Sequence, residues 1–281
     1  MGLSRMEIFS CSQLLPFAVS SLPTTQNRKG IEMKTLVVGA SGATGRLLVE
    51  QLLDRGQHVR IIVRSTENLP DNITSHDNLS VIQASVLDLS DSEMAQHVSG
   101  CNALASCLGH NLNFKGMFAP PRRLVTDATR RLYNAVKESK PKKPVKFVLM
   151  NTTGNSNRDL NEQISFAQKC VIGLLRLLLP PHVDNENAAD YLRTQIGQKD
   201  GAIEWAVVRP DSLIDETEIT EFVVHPSPTR SAIFNAGVTS RINVGCFMAD
   251  LIGDDDTWNK WKGKMPVIYN KEQKAALAES T

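Results

Sequence analysis

The chain has 281 residues, 41% hydrophobic and 22% charged, with a formal net charge of +1. That length can bury the core of one large α/β domain, and the near-neutral balance gives no electrostatic case for a nucleic-acid partner. A membrane span is not expected either, because the greasiest stretch, Val171 to Pro181, is interrupted by Arg176 and ends in Pro180-Pro181.

Residues 1–32 stand apart as an N-terminal extension. They hold five serines, few acids and no clear periodicity. Three readings compete: an organelle-targeting peptide, a disordered extension, or an upstream start codon. The patch Leu14 to Val19 is too short and poorly flanked for a signal peptide. Gly2 makes no myristoylation site, since Met6 stands where Ser or Thr is needed.

Thr35 to Val38 is a short apolar run of strand type, followed at once by Gly39-Ala-Ser-Gly42-Ala-Thr-Gly45. A helix pattern comes next, with Leu47, Leu48, Leu52 and Leu53 on one face and Gly56 just past its end. A second strand, Val59 to Val63, completes a strand–helix–strand unit. In such a unit the glycine loop lies at the strand's carboxyl end, where free backbone N–H groups and the helix dipole favour a pyrophosphate. Gly39 suits the turn, Gly42 a close backbone approach to phosphate, and Gly45 the packing of helix on strand.

Arg64 stands at the end of that second strand, followed by Ser65 and Thr66, with no acid before Glu67. An acid here would bind a ribose 2′-hydroxyl, whereas an arginine fork and hydroxyls suit a 2′-phosphate. The expected cofactor is therefore NADP(H), with NAD(H) as the alternative. Arg46 at the helix start could add a second positive charge.

Ser80 to Gln83 is a third strand, followed by Asp88-Leu89 and a short helix to about Val98. Asn102 to Leu108 is a fourth strand, and Pro120 to Ser139 a long helix with Leu124, Ala128, Leu132 and Val136 at i, i+4 spacing. Val145 to Met150 is a fifth strand, nearly all apolar, and Glu204 to Val208 a sixth. This alternation predicts an α/β fold with a doubly wound parallel sheet of Rossmann type. Ligands in such sheets bind outside the strands' carboxyl ends, which nominates Asp88-Leu89, Cys107 to His110, Asn151 to Gly154, and Arg209 to Ser212.

Five cysteines form no CxxC pair and read as reduced thiols of a cytoplasmic protein; an organelle is the alternative if residues 1–32 are a transit peptide. No histidine spacing fits a metal, and His182-Val-Asp184, the nearest approach, reads as a solvated loop.

These features, in this order, resemble the atypical short-chain dehydrogenase/reductase superfamily, in its NmrA-like NAD(P)H-binding branch. The resemblance rests on Gly39 to Gly45, Arg64, Asp88-Leu89, Leu108-Gly109, Val207-Val-Arg-Pro210, and Ile242-Asn-Val244 leading into a helix Gly245 to Ile252. It runs across most of residues 34 to 270. It implies a cofactor set of Gly39, Ser41, Gly42, Ala43, Thr44, Gly45, Arg46, Arg64, Ser65, Asp88, Leu89, Cys107, Leu108, Gly109 and Pro210. It also implies one domain over residues 33–281, with a small C-terminal substrate lobe from about 155–200 and 211–281, and the late helix beside that lobe.

Most active members of the superfamily use a Tyr-x-x-x-Lys pair. Tyr133-Asn-Ala-Val-Lys137 matches the string but lies in the helix before the fifth strand, where the family's pair lies in the helix after it. In the expected place, Tyr191-Leu-Arg-Thr-Gln195 has glutamine for lysine, which leaves Tyr191 a weak acid candidate. Thr152 and Thr153 stand where relatives carry Ser or Thr and would orient the nicotinamide. The resemblance thus implies an NADPH-dependent reductase of a small, conjugated or aromatic substrate. Alternatives are a non-catalytic NADP-binding sensor of NmrA type and an epimerase or dehydratase. A monomer or homodimer is expected, with a small-molecule substrate and no metal.

Overall fold

The computed structural model describes residues 33–110 and 120–271, and the backbone of the two-residue strand Ile8–Phe9. With that strand as β1, the chain runs through β2 (Lys34–Val38), α1 (Ala43–Asp54), β3 (His58–Val63), α2 (Asp71–Thr74), β4 (Leu79–Gln83), α3 (Asp91–Val98) and β5 (Ala103–Ser106). Then come α4 (Leu124–Ser139), β6 (Val145–Met150), α5 (Phe166–Leu178), α6 (Pro180–Asp190) and a π-helical turn over Tyr191–Ile196. The last part comprises β7 (Ile203–Pro210), β8 (Ser212–Ile214), β9 (Phe222–His225), β10 (Val238–Ser240), α7 (Arg241–Gly253), α8 (Asp255–Trp261) and β11 (Val267–Asn270).

Nine strands form one sheet in the order β1-β9-β11-β7-β6-β5-β2-β3-β4. From β4 to β11 every neighbour is parallel; β9 and β1 extend the edge antiparallel. The expected parallel sheet is therefore present, with two differences. Phe222–His225 and Val267–Asn270, assigned from sequence to the substrate lobe, lie in this sheet. A piece of the N-terminal extension joins it too, with Ile8 opposite Val223; the rest of residues 1–32 lies outside the described residues.

The sheet is covered on both faces, which is why β2, β6 and β7 read as continuous apolar runs. Side chains alternate between the layers. Val37, Val148 and Val208 pack with Leu48 and Leu52 of α1 and with Phe247 and Ile252 of α7. Leu36, Val38, Phe147 and Val207 pack on the other side with Met94 of α3, Leu132 of α4, Ala188 of α6 and Leu192. The late helix starts beside the expected lobe, where Asn243 Nδ2 donates to Thr220 Oγ1 at 2.8 Å and Arg241 pairs with Asp215 at 2.9 Å. It packs on α1, and a Cβ at Gly245 would stand 3.1 Å from Leu48 N, so a small residue there lets the two backbones approach. The greasy stretch after Val171 belongs to α5, an amphipathic helix that buries Ile172 and exposes Leu174 and Leu177. Among the described residues, no helix is long and apolar enough to cross a membrane.

Candidate cofactor and substrate site

β2 turns into α1 through the glycine loop. Gly39 has φ +76°, and a Cβ there would lie 2.5 Å from the Cys107 carbonyl carbon and 2.7 Å from Leu108 N. Only glycine lets the loop pass so close to the end of β5. At Gly45 a Cβ would meet Gly39 O at 2.1 Å, so the first turn of α1 is pressed onto the loop that starts it. Gly42 differs: its φ of −78° and ψ of 161° suit any residue, and it is exposed. Among the described residues, the one close neighbour of a Cβ there would be Gly39 O, at 3.2 Å. What glycine preserves at that position is open space outside the loop.

That space lies at the N-terminus of α1. Gly42 offers no side-chain cap, and the first turn holds no acid. The first N–H groups of the helix are thus left to an external acceptor, the arrangement that binds phosphate. Ser41 is half-buried, Ala43 exposed, and Thr44 and Gly45 buried. The groove and its donors fit a dinucleotide pyrophosphate.

Val38 pairs with Ile62, so β2 and β3 end at the same edge of the sheet. Arg64 lies just past β3, exposed, with no ion pair or hydrogen bond among the described residues; Arg46, in the first turn of α1, is likewise exposed and unpaired. Ser65 Oγ accepts from Glu67 N at 3.1 Å, which tightens the turn behind Arg64. Past β4, Asp88 is exposed, but the Leu89 side chain is buried in the core. Only its backbone can face a ligand, and the Leu89 carbonyl is already taken by Arg131 of α4, which also holds the Val86 and Leu87 carbonyls.

At the carboxyl end of β5, Cys107 and Leu108 are half-buried and Gly109 is exposed. Cys107 N donates to Val38 O at 2.9 Å, and burial pushes its thiol up to about 12, so it serves by position rather than as a nucleophile. At the end of β6, Asn151 is fixed on three sides. Its N–H donates to Val208 O, its Nδ2 to Asn185 O (2.8 Å), and its Oδ1 accepts from Thr152 N (2.9 Å). Thr152 is half-buried and its Oγ1 accepts from Gly154 N at 3.3 Å; Thr153 is buried.

Pro210 is buried within β7, and its carbonyl accepts from Thr153 N at 3.0 Å. It positions the end of β6 rather than presenting its ring. Arg209, nominated from sequence as a ligand contact, is fully buried and structural. It donates to Met265 O and Asn155 O (2.8 Å each) and pairs with Glu162 at 2.7 Å, tying the segment after β6 to β7 and the start of β11.

The two tyrosines lie away from this edge. Tyr133 OH donates to Asp200 Oδ2 at 2.8 Å, and Asp200 accepts from Ala202 N and Ile203 N at the amino end of β7. Burial, then the Asp200 carboxylate, push the Tyr133 phenol up to about 12. The Tyr191 ring stands edge-on to Tyr133 at 6.1 Å, with the Arg130 guanidinium 5.1 Å from its centroid. The expected acid candidate Tyr191 is therefore not brought to Thr152 and Thr153. Residues 191–196 form a π-helical turn packed against α4, which carries the ring to that side.

Two histidines lie at this edge: His110, nominated from sequence, and His182, which the sequence reading left in a solvated loop. His110, after β5, donates through Nε2 to Asp184 Oδ2 at 2.8 Å. Asp184 also accepts from Val125 N (2.7 Å) and Thr126 N (3.0 Å), so it caps α4 from a distant part of the chain. Burial opposes its charge, but bonds from His110, Thr126 and Val125 outweigh that and lower its pKa. His182 is not in a solvated loop: it sits in the first turn of α6, its side chain 10% exposed. A Cβ at Gly154 would lie 3.5 Å from its Cε1. Its Nε2 is 3.4 Å from Glu186 Oε1, out of line for a hydrogen bond, and Arg176 of α5 holds Glu186 through two 2.8 Å bonds. The available signals were Pro180-Pro181, which start a helix, and the i, i+4 spacing of His182 and Glu186. Among the described residues, no group of three His, Cys, Asp or Glu side chains could hold a metal.

A family model described as NAD(P)H-binding matches residues 39–255. The chain belongs to that NAD(P)H-binding family. No curated protein matches. Solved structures share the fold of this family member. An oxidoreductase from Lactococcus lactis has 16% identity and a TM-score of 0.61, with 86% of this chain and 92% of that one covered. A short-chain dehydrogenase/reductase from Veillonella parvula, solved in complex with NADP, has 15% identity and a TM-score of 0.62, with 85% and 94% covered. An anaerobilin reductase from Escherichia coli O157:H7 has 14% identity and a TM-score of 0.58, with 87% and 100% covered.

Proposed function

We propose that the chain is an NADPH-dependent reductase of a small conjugated or aromatic substrate. One observation carries the reading: the uncapped N-terminus of α1 and the unpaired Arg64 open at the same sheet edge, where a pyrophosphate and a 2′-phosphate of one cofactor would lie. Gly39, Gly42 and Gly45 shape the cradle. Backbone N–H groups of Ala43 and Thr44 face the pyrophosphate, Arg64 with Ser65 takes the 2′-phosphate, Asp88 borders the adenine, and Thr152 orients the nicotinamide end. When bound, the reduced nicotinamide supplies a hydride.

The placement of Tyr191 against Tyr133 supports a substrate that needs no tyrosine–lysine pair, such as a flavin, quinone or tetrapyrrole. The fold shared with the anaerobilin reductase, a reductase by name, is consistent with that reading. The same placement also favours the second reading, a sensor that binds NADPH without turning it over, and counts against an epimerase. The test is NADPH oxidation with FMN, menadione, biliverdin and aldehydes, alongside calorimetry of NADPH. Oxidation with a conjugated acceptor supports the reductase. Tight binding with no oxidation of any acceptor means a sensor.

A further inference from the structure

We propose that His182 is a catalytic residue of this site, meeting the substrate through Nδ1 and giving it the proton that completes the reduction. The inference rests on the reductase reading. Four observations lead to it. His182 lies against Gly154, two residues past Thr152 at the carboxyl end of β6, the edge that receives the nicotinamide. Its Nε2 is buried facing Glu186 and makes no hydrogen bond, so Nδ1 is the ring nitrogen left to meet a ligand. Glu186 is itself anchored: burial opposes its charge, but His182 and Arg176 outweigh this and hold its carboxyl down at about 2. Tyr133 is bound to Asp200, just before the amino end of β7, and Tyr191 stands edge-on to Tyr133.

The charged groups around the ring come from three elements. Glu186 lies on α6 itself and Arg176 on α5. Arg158, on the segment after β6, is 4.0 Å from Glu186 and 2.7 Å from Asp190. The neighbouring His110–Asp184 pair is fully engaged with the start of α4. These charges surround the Nε2 side of the ring, and the proposed ligand contact falls to Nδ1.

The step balances with NAD(P)H as reductant. The substrate's electrophilic carbon or ring nitrogen gains a hydride with its electron pair. The displaced π pair passes through the conjugated system to its terminal oxygen or nitrogen, which bonds to the proton leaving Nδ1 of the imidazolium. Neutral imidazole and oxidised nicotinamide remain, and water returns the proton to the ring.

The experiment uses the full chain, with menadione as probe. His182→Gln and His182→Asn should bind NADPH within about twofold of wild type while kcat falls roughly tenfold to a hundredfold. The wild-type decline of kcat with rising pH should be absent from both variants. Glu186→Gln should lower kcat less and keep that decline. Independently of turnover, the His182 imidazole signals in a ¹H–¹⁵N spectrum, identified by their loss in His182→Gln, should shift when menadione is added to the NADP⁺-bound protein. Wild-type kcat and pH profile in both variants, or imidazole signals unmoved by menadione, would overturn the proposal. If the wild type oxidises no NADPH but those signals still shift, the reductase reading fails while the contact between His182 and ligand stands.

Discussion

A carbon added at Gly45 would stand 2.1 Å from the carbonyl oxygen of Gly39, closer than any side chain can sit to a backbone atom. The glycine loop is therefore packed from inside, by its own helix. Gly45→Ala must push helix and loop apart. It should lower stability by roughly 1–3 kcal/mol, the usual cost of overpacking, and weaken NADPH binding with it. Thermal melts and calorimetry of the same variant check both effects.

Arg64 sets cofactor choice. A charge-assisted contact to a 2′-phosphate contributes on the order of 1.5–3 kcal/mol. Arg64→Ala should therefore lose most of the preference for NADPH over NADH and leave NADH affinity nearly unchanged, since Arg64 makes no hydrogen bond or ion pair among the described residues. Paired titrations with the two cofactors measure this, and equal affinities in the wild type would refute it.

Tyr133→Phe should leave turnover unchanged, because its hydroxyl is bound to Asp200 at the amino end of β7. Thr152→Val should lower turnover roughly tenfold or more, through loss of a positioning hydrogen bond at the carboxyl edge. Thr153 is buried with its backbone pinned to Pro210, so Thr153→Val should show mainly in stability. Steady-state rates with a competent acceptor separate the three.

Glu186 makes stability depend on pH. Its folded pKa of about 2 lies below the ordinary 4.5, so its contribution is full above about 4.5 and is lost as the pH falls toward 2. Denaturant midpoints taken across that window should fall more steeply for wild type than for Glu186→Gln. Because Arg176 is 44% exposed, added salt should soften the difference.

Much of this fold was legible because local and global signals agree. Val145–Met150 has the bounds its apolar run predicts, and α1 stops where Gly56, at φ +72°, turns the chain. Other features depend on contacts that no local pattern announces. The long helix was expected from Pro120 but starts at Leu124, where Asp184, some sixty residues on, supplies the cap. Phe222–His225 and Val267–Asn270 are four-residue strands that gain their place by pairing with each other and with β7. Arg209 sits in a motif at the ligand edge, yet five bonds around its guanidinium bury it. His182 looked solvated because Gly154, which it lies against, and Arg176, which holds its neighbour Glu186, come from separate segments.

Titration of NADPH into wild type and Gly42→Val tests the central claim most directly. The added Cβ meets little of the protein, since among the described residues only Gly39 O lies near it, at 3.2 Å. It would fill the space outside the loop where the pyrophosphate belongs. The account predicts a well-folded variant, with a melting temperature close to wild type, that no longer binds NADPH. Undiminished NADPH affinity in that variant would contradict the account, because the glycine loop would then not be the cofactor site.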